Sequence, residues 1–333
     1  ENEPQLALQI AEAIATKIQQ GPRPAVRDAH PKAHGCVAAE FRVEDDLPQY
    51  LAQGVFTPGR TYPAYIRFSN GNPDPNRDDA KGDARGMAIK LLEVPGEKIL
   101  PDERDAQTQD FIMINHPVFF IDDPAHYLGL IQRTGSSNPL ALVGQLLALG
   151  LKGALIAKAV TSSKIASPLE TRYWSIVPYR LGDPPHKQAI KFSARPRGPG
   201  ATSLPDDPTP NFLRETMIRQ LEAGKAQFDF EVQPREPSMS VEESTVEWKE
   251  EEAPFIKVAT ITIPRQTFAT TERDRFGENL SFTPWHALPQ HRPLGSVNRI
   301  RRVVYQTISK LRHELNGTAP REPSGFDADM GRA

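Results

Sequence analysis

Near the C-terminal end of this 333-residue chain, the run NRIRRVVYQTISKLR (298–312) has helical spacing. Arg301 lies one turn before Tyr305, and Arg312 lies two turns after it. Positions i, i+4 and i+11 fall on one helix face. Arginine stays cationic at any useful pH, and a cation within hydrogen-bonding reach favours the phenolate over the phenol. A phenolate is a hard anionic ligand of the kind that ferric iron accepts. Taken alone, the helix also fits a plainer description, a basic surface helix with one half-buried tyrosine.

Other chemistries find little support. His30 and His34 stand four apart, but Pro31 between them argues against a helix that would bring them onto one face. No HExxH, no paired cysteine and no adjacent carboxylate cluster accompanies the eight histidines, so a zinc site is not expected. GxGxxG, Walker-type and GxSxG motifs are absent. The net charge of −2 and the lack of a basic stripe outside residues 292–312 exclude an expected nucleic-acid partner. Cys36 is the single cysteine, which rules out an internal disulfide and fits a small buried residue in a strand. No basic-then-apolar signal pattern follows Glu1, and the cytoplasm is the expected compartment. The apolar run 140–160 carries Gln145, Lys152 and Lys158, too polar for an integral membrane span.

The elements that must position such a helix alternate along the chain. An amphipathic helix over 4–20 sets Leu6, Ile10, Ile14 and Ile18 near one face. Strand-like runs follow at 36–43, 61–69, 86–93 and 109–114, then helical patterns at about 123–133 and 139–161. A second strand group is expected at 172–179, 187–194, 226–233 and 254–263, with a helix inserted at 210–223. An irregular stretch, 264–295, leads into the closing helix at 296–315, and the tail 316–333 is expected to be poorly ordered. Four strands, helices, four strands and a final helix predict a single-domain α+β antiparallel barrel with attached helices.

Four segments occur in a particular order: RDAHPKAHGCV (27–37), YIRFSNG with DDAKGDARGMAIK (65–71 and 78–90), IMINHPVFFIDD (112–123), and ENLSF (278–282) ahead of the Tyr305 helix. Together they resemble the haem-containing monofunctional catalases. The resemblance is clearest over 23–130 and 276–313. It implies an eight-stranded antiparallel β-barrel with surrounding helices and a buried haem b, whose iron takes an axial tyrosinate.

Carried over residue by residue, the resemblance implies that Tyr305 is the iron ligand and that Arg301 keeps it ionised. His30 resembles the distal acid–base histidine, and Ser69 the serine that holds its ring. Arg27, Arg67 and Arg312 resemble the guanidinium groups that receive the haem propionates, since arginine pairs with carboxylates in a planar, bidentate way. Asn115 is the nearest candidate for the distal amide, and Tyr127 resembles the aromatic over the haem. The pattern also departs from the family. Three residues before Pro117, where the distal asparagine usually stands, this chain has Ile114. His116 rivals Asn115, and His34 rivals His30. The long N-terminal arm and C-terminal domain of large catalases have no counterpart here, which resembles the minimal catalase-related proteins.

The resulting expectation is a haem peroxidase that reduces hydrogen peroxide or an organic hydroperoxide with a small organic electron donor, with minor catalase activity, as a homodimer. Two alternatives stay open. One is a fatty-acid hydroperoxide isomerase or dehydratase acting on a lipid hydroperoxide. The other is a haem-binding or sensor protein with little turnover.

Overall fold

A computed structural model describes residues 2–133, 139–198, 200–320 and 322–326. Eight segments close an antiparallel ring: β1 (Ala33–Val43), β2 (Thr61–Asn70), β3 (Arg85–Leu91), β4 (Gln109–Ile114), β5 (Tyr173–Trp174), β7 (Gln188–Pro196), β8 (Ala226–Pro234) and β9 (Ile256–Ile263). β5 joins β4 to β7 and so completes the barrel, while β6 (Tyr179–Leu181) continues the β5 position along β7. The strand expected at 172–179 is thus broken in two. Ile176 sits at φ 58, and Pro178 has no N–H to give the ladder.

The barrel interior is solid. Phe41, Phe111, Phe192 and Phe230 point inward from four strands, with ring centroids 4.9 Å apart for Phe111–Phe230 and 5.1 Å for Phe111–Phe192. Side chains alternate along each strand, so a filled interior leaves only the outer face for a ligand. That face is unusual on β2 and β3. Their outward residues Arg67, Ser69, Gly86 and Lys90 are as buried as the inward ones. A polar outer face shut off from water marks the side of the barrel where other elements close over something.

Those elements are α1 (Glu3–Gln20), α2 (Pro124–Arg133), α3 (Pro139–Thr161), α5 (Thr271–Asn279) and α6 (Ser296–Asn316), with α4 (Phe212–Ala223) packing separately on β1. Ile10, Ile14 and Ile18 of α1 pack with Ile300 and Ile308 of α6 and Ile131 of α2. Gly317 ends α6 in the left-handed region at φ 62, where glycine has no Cβ penalty. No described helix is long and apolar enough to cross a membrane.

One expectation is corrected. The stretch 264–295 contains α5, whose sequence TERDRFGEN lacks apolar periodicity and is started instead by Thr270, which accepts the Arg273 N–H at 3.2 Å. Of the tail 316–333, residues 321 and 327–333 lie outside the described residues. Glu322 returns to the barrel, its Oε2 2.7 Å from Nζ of the fully buried Lys90.

Candidate active site

His30 is held by several neighbours. Its backbone takes φ 62, rare for a residue with a Cβ, and Nη1 of Arg67 donates to its carbonyl at 2.9 Å. Its Nδ1 lies 3.0 Å from Oγ of Ser69 on β2. The ring rests on Gly86 of β3, where an added Cβ would come within 2.5 Å of Nδ1. Glycine is therefore needed there for the close approach. Burial, then the charges of Arg67, Arg301 and Arg27, push the imidazole down to about 4. It is thus neutral at pH 7.

On the other side, α6 presents Tyr305. Nη2 of Arg301 donates to the Tyr305 hydroxyl at 3.1 Å, and its Nη1 donates to Oδ1 of Asn298 at 3.2 Å. Asn298 is itself fixed, donating to the carbonyls of Pro178 and Leu294 at 3.0 Å each. Burial opposes the Arg301 charge, but Tyr305 and Tyr179 outweigh it and raise its proton affinity. Tyr127 packs against Phe119, ring centroids 6.2 Å apart. Its phenol is driven up by burial, then by Asp28 and Tyr305. Arg301, bonded to Tyr305, is also among the charges that lower the His30 imidazole.

Three arginines from distant parts of the chain meet at Glu278, at the end of α5. Nη1 of Arg27 lies 2.5 Å from one carboxylate oxygen and Nη2 of Arg67 3.6 Å from it; Nη1 of Arg312 lies 3.5 Å from the other. Arg27 also donates to the carbonyls of Gly277, Glu278 and Leu280, and Arg312 to that of Glu278 at 2.6 Å. Burial and then the Arg27 charge lower Arg67 to about 9 and Arg312 to about 10. One half-exposed carboxylate does not balance three guanidinium groups, two of them almost wholly buried. Sequence reasoning missed Glu278 as a site residue, although it stands in the quoted ENLSF run.

Other candidates are engaged elsewhere. Oδ1 of Asn115 accepts the Arg85 N–H at 2.7 Å, and its Nδ2 donates to Oγ of Ser163 at 3.0 Å. Its amide is bonded to the end of β3 and the segment after α3, not to His30. His34 is buried, its Nε2 2.8 Å from Oδ1 of Asn70, and His116 bonds only the local turn at Val118. The β4 residue in register with Gly86 is Ile114.

Residues 12–141 match the family described as Catalase. A protein of Mycolicibacterium paratuberculosis named catalase-related peroxidase is 30% identical over 275 residues, which cover 80% of this chain and 82% of that one. The chain belongs to the catalase family. A catalase of Ascaris suum shares 34% identity over 109 residues, only 17% of that protein. A bacterial catalase superposes with a TM-score of 0.67 at 16% identity, covering 90% of this chain and 60% of that one. A fungal catalase gives 0.63 at 15%, covering 92% and 66%. At such identities these two structures establish the catalase fold and nothing finer.

Catalases generally bind haem. The residues here fit such a group: a surplus of buried guanidinium charge suits a doubly carboxylated ligand, and Tyr305 beside Arg301 suits a metal. A separate cluster brings Glu103, His286 and Glu322 together, but Lys90 already supplies its positive charge, 2.7 Å from Glu322 and from Asp110.

Proposed function

We propose that this member of the catalase family is a haem b peroxidase. It reduces hydrogen peroxide or an organic hydroperoxide and takes its electrons from a small organic donor. The observation that carries this is Arg301, bonded to the Tyr305 hydroxyl and electrostatically coupled to His30. Tyr305 would be the axial ligand, and Arg27, Arg67 and Arg312 would hold the propionates. Tyr127 would pack beside the ring, and the bound haem would supply the iron at which the peroxide oxygen–oxygen bond breaks.

The chain's own residues handle the proton. A neutral His30 would take a proton from the peroxide at Nε2 and return it to the leaving oxygen. Ser69 fixes the ring through Nδ1, so that the same nitrogen performs both transfers. With Asn115 bonded elsewhere and Ile114 in register with Gly86, the distal side offers an aliphatic surface where an amide would orient a second small peroxide. That favours donor-dependent reduction over peroxide dismutation. It also keeps a second reading in play, rearrangement of a lipid hydroperoxide with no donor.

The test is an absorption spectrum and a rate. Purified protein supplied with haem is expected to show a ferric-phenolate spectrum that disappears in Tyr305→Phe. Turnover of hydrogen peroxide is expected to require an added donor. A protein that takes up no haem ends the proposal. Consumption of a lipid hydroperoxide without donor, faster than peroxide with donor, transfers it to the second reading.

A further inference from the structure

Between Asp123 and Glu170 the chain has no acidic residue, while Arg133, Lys152, Lys158 and Lys164 are all cationic. An interval of that length would ordinarily carry several carboxylates in a chain with 42 of them. α3 lies inside this interval. It bends at Gly150, φ 65, and beyond the bend Leu151 is 82% exposed and Leu155 61% exposed. Leu151, Leu155 and Ala159 recur every four residues along one line, flanked by the exposed Lys152 and Lys158. The opposite face is seated: Val160 is buried, and a Cβ on Gly153 would come within 2.6 Å of the Phe120 carbonyl oxygen.

The end of α3 is tied to the candidate active site. Asp83 N–H donates to the Ser163 carbonyl at 3.0 Å, and Asn115 donates to the Ser163 hydroxyl. A Cβ on Gly82 would meet the Thr161 carbonyl oxygen at 2.5 Å. The turn thus clamped leads directly into β3, whose Gly86 supports His30. Two exposed leucines would cost a soluble surface little singly. Aligned between lysines, in an interval free of acidic groups, they have the pattern of a helix that lies in a membrane interface. Its apolar line enters the acyl boundary, and its lysines meet anionic headgroups.

We infer that α3 docks this protein on the surface of an anionic lipid bilayer through Leu151 and Leu155, with Lys152 and Lys158 contacting the headgroups. The docked helix would bring bilayer-borne hydroperoxides to the His30 side. That delivery rests on the haem reading, whereas the docking does not.

Co-sedimentation with phosphatidylcholine vesicles, with and without phosphatidylglycerol, tests it. The full chain is expected to bind the phosphatidylglycerol vesicles and to release as salt is raised. The double variant Leu151→Gln/Leu155→Gln is expected to bind at least about tenfold more weakly at an unchanged Tm, because both side chains are exposed. Lys152→Glu/Lys158→Glu should abolish the preference for anionic lipid. Tyr305→Phe should dock like the parent, which separates failure of the haem assignment from failure of the docking. Absence of binding, or binding indifferent to the leucine pair, overturns the inference. So does a concentration-dependent dimer in sedimentation velocity that the leucine variant abolishes, since a second copy would then cover the face.

Discussion

Ile114 of β4 stands directly across from Gly86 of β3, and Gly86 is the platform on which the His30 ring rests. Directly opposed residues on paired strands share a face, so Ile114 shares the face that carries His30. Replacing it with asparagine would put an amide where the strand register directs it to the reacting group. Ile114→Asn is expected to raise oxygen evolution from hydrogen peroxide by about tenfold or more relative to donor-dependent turnover. An oxygen electrode and a donor-oxidation assay on the same preparation measure the ratio. An unchanged ratio would mean that the missing amide does not set the balance.

Ser69→Ala removes the only side-chain partner that His30 has among the described residues. The ring should lose its fixed orientation while the proposed haem ligand on α6 is untouched. Turnover is expected to fall about tenfold at constant haem content and with an unshifted spectrum. Parallel loss of haem would instead assign Ser69 to holding the pocket together.

Three histidines should make the fold acid-sensitive. Burial, aided by arginine charges, holds His30 at about 4; burial also lowers His34 to about 4 and His291 to about 3. The unfolded chain binds these protons near pH 6.5 and the folded chain does not. Stability is therefore full above about 6.5 and falls as the pH drops toward 4, by several kcal/mol in total. His30 keeps some solvent contact and should contribute less than the other two. Tm is expected to decline steeply between pH 6.5 and 4.5. Because Nε2 of His291 accepts the Val55 N–H at 3.0 Å, His291→Gln can keep that bond and should flatten the decline. The same neutrality of His30 predicts kcat/KM independent of pH down to about 5.

Glu278→Gln leaves Arg27, Arg67 and Arg312 without a common anion. The haem-free variant is expected to be less stable, read as a lower Tm. Haem should raise the Tm of this variant by more than that of the parent, because the propionates would supply the missing negative charge. A smaller rise than in the parent would remove the arginine cluster from the proposed propionate site.

Local pattern carried much of this in the sequence. Strand alternation and proline-bounded segments marked all eight barrel positions, and apolar periodicity marked α1. Arg301 and Tyr305, four apart on one helix, needed no tertiary information to be paired, because helix geometry alone brings i and i+4 together. α5 escaped because a charged, capped helix has no apolar period to read.

The tertiary structure decided what no spacing could. His30 meets Ser69 across 39 residues, and Arg27 meets Glu278 across about 250, contacts that exist only once the barrel has closed. Ile114 and Asn115 are adjacent in sequence, and a one-residue choice of strand register sends their side chains to opposite destinations. The pairing of Arg301 with Tyr305 is a property of one helix and was legible in the sequence. The surroundings of His30 are a property of strands in register, and only the folded barrel fixes them.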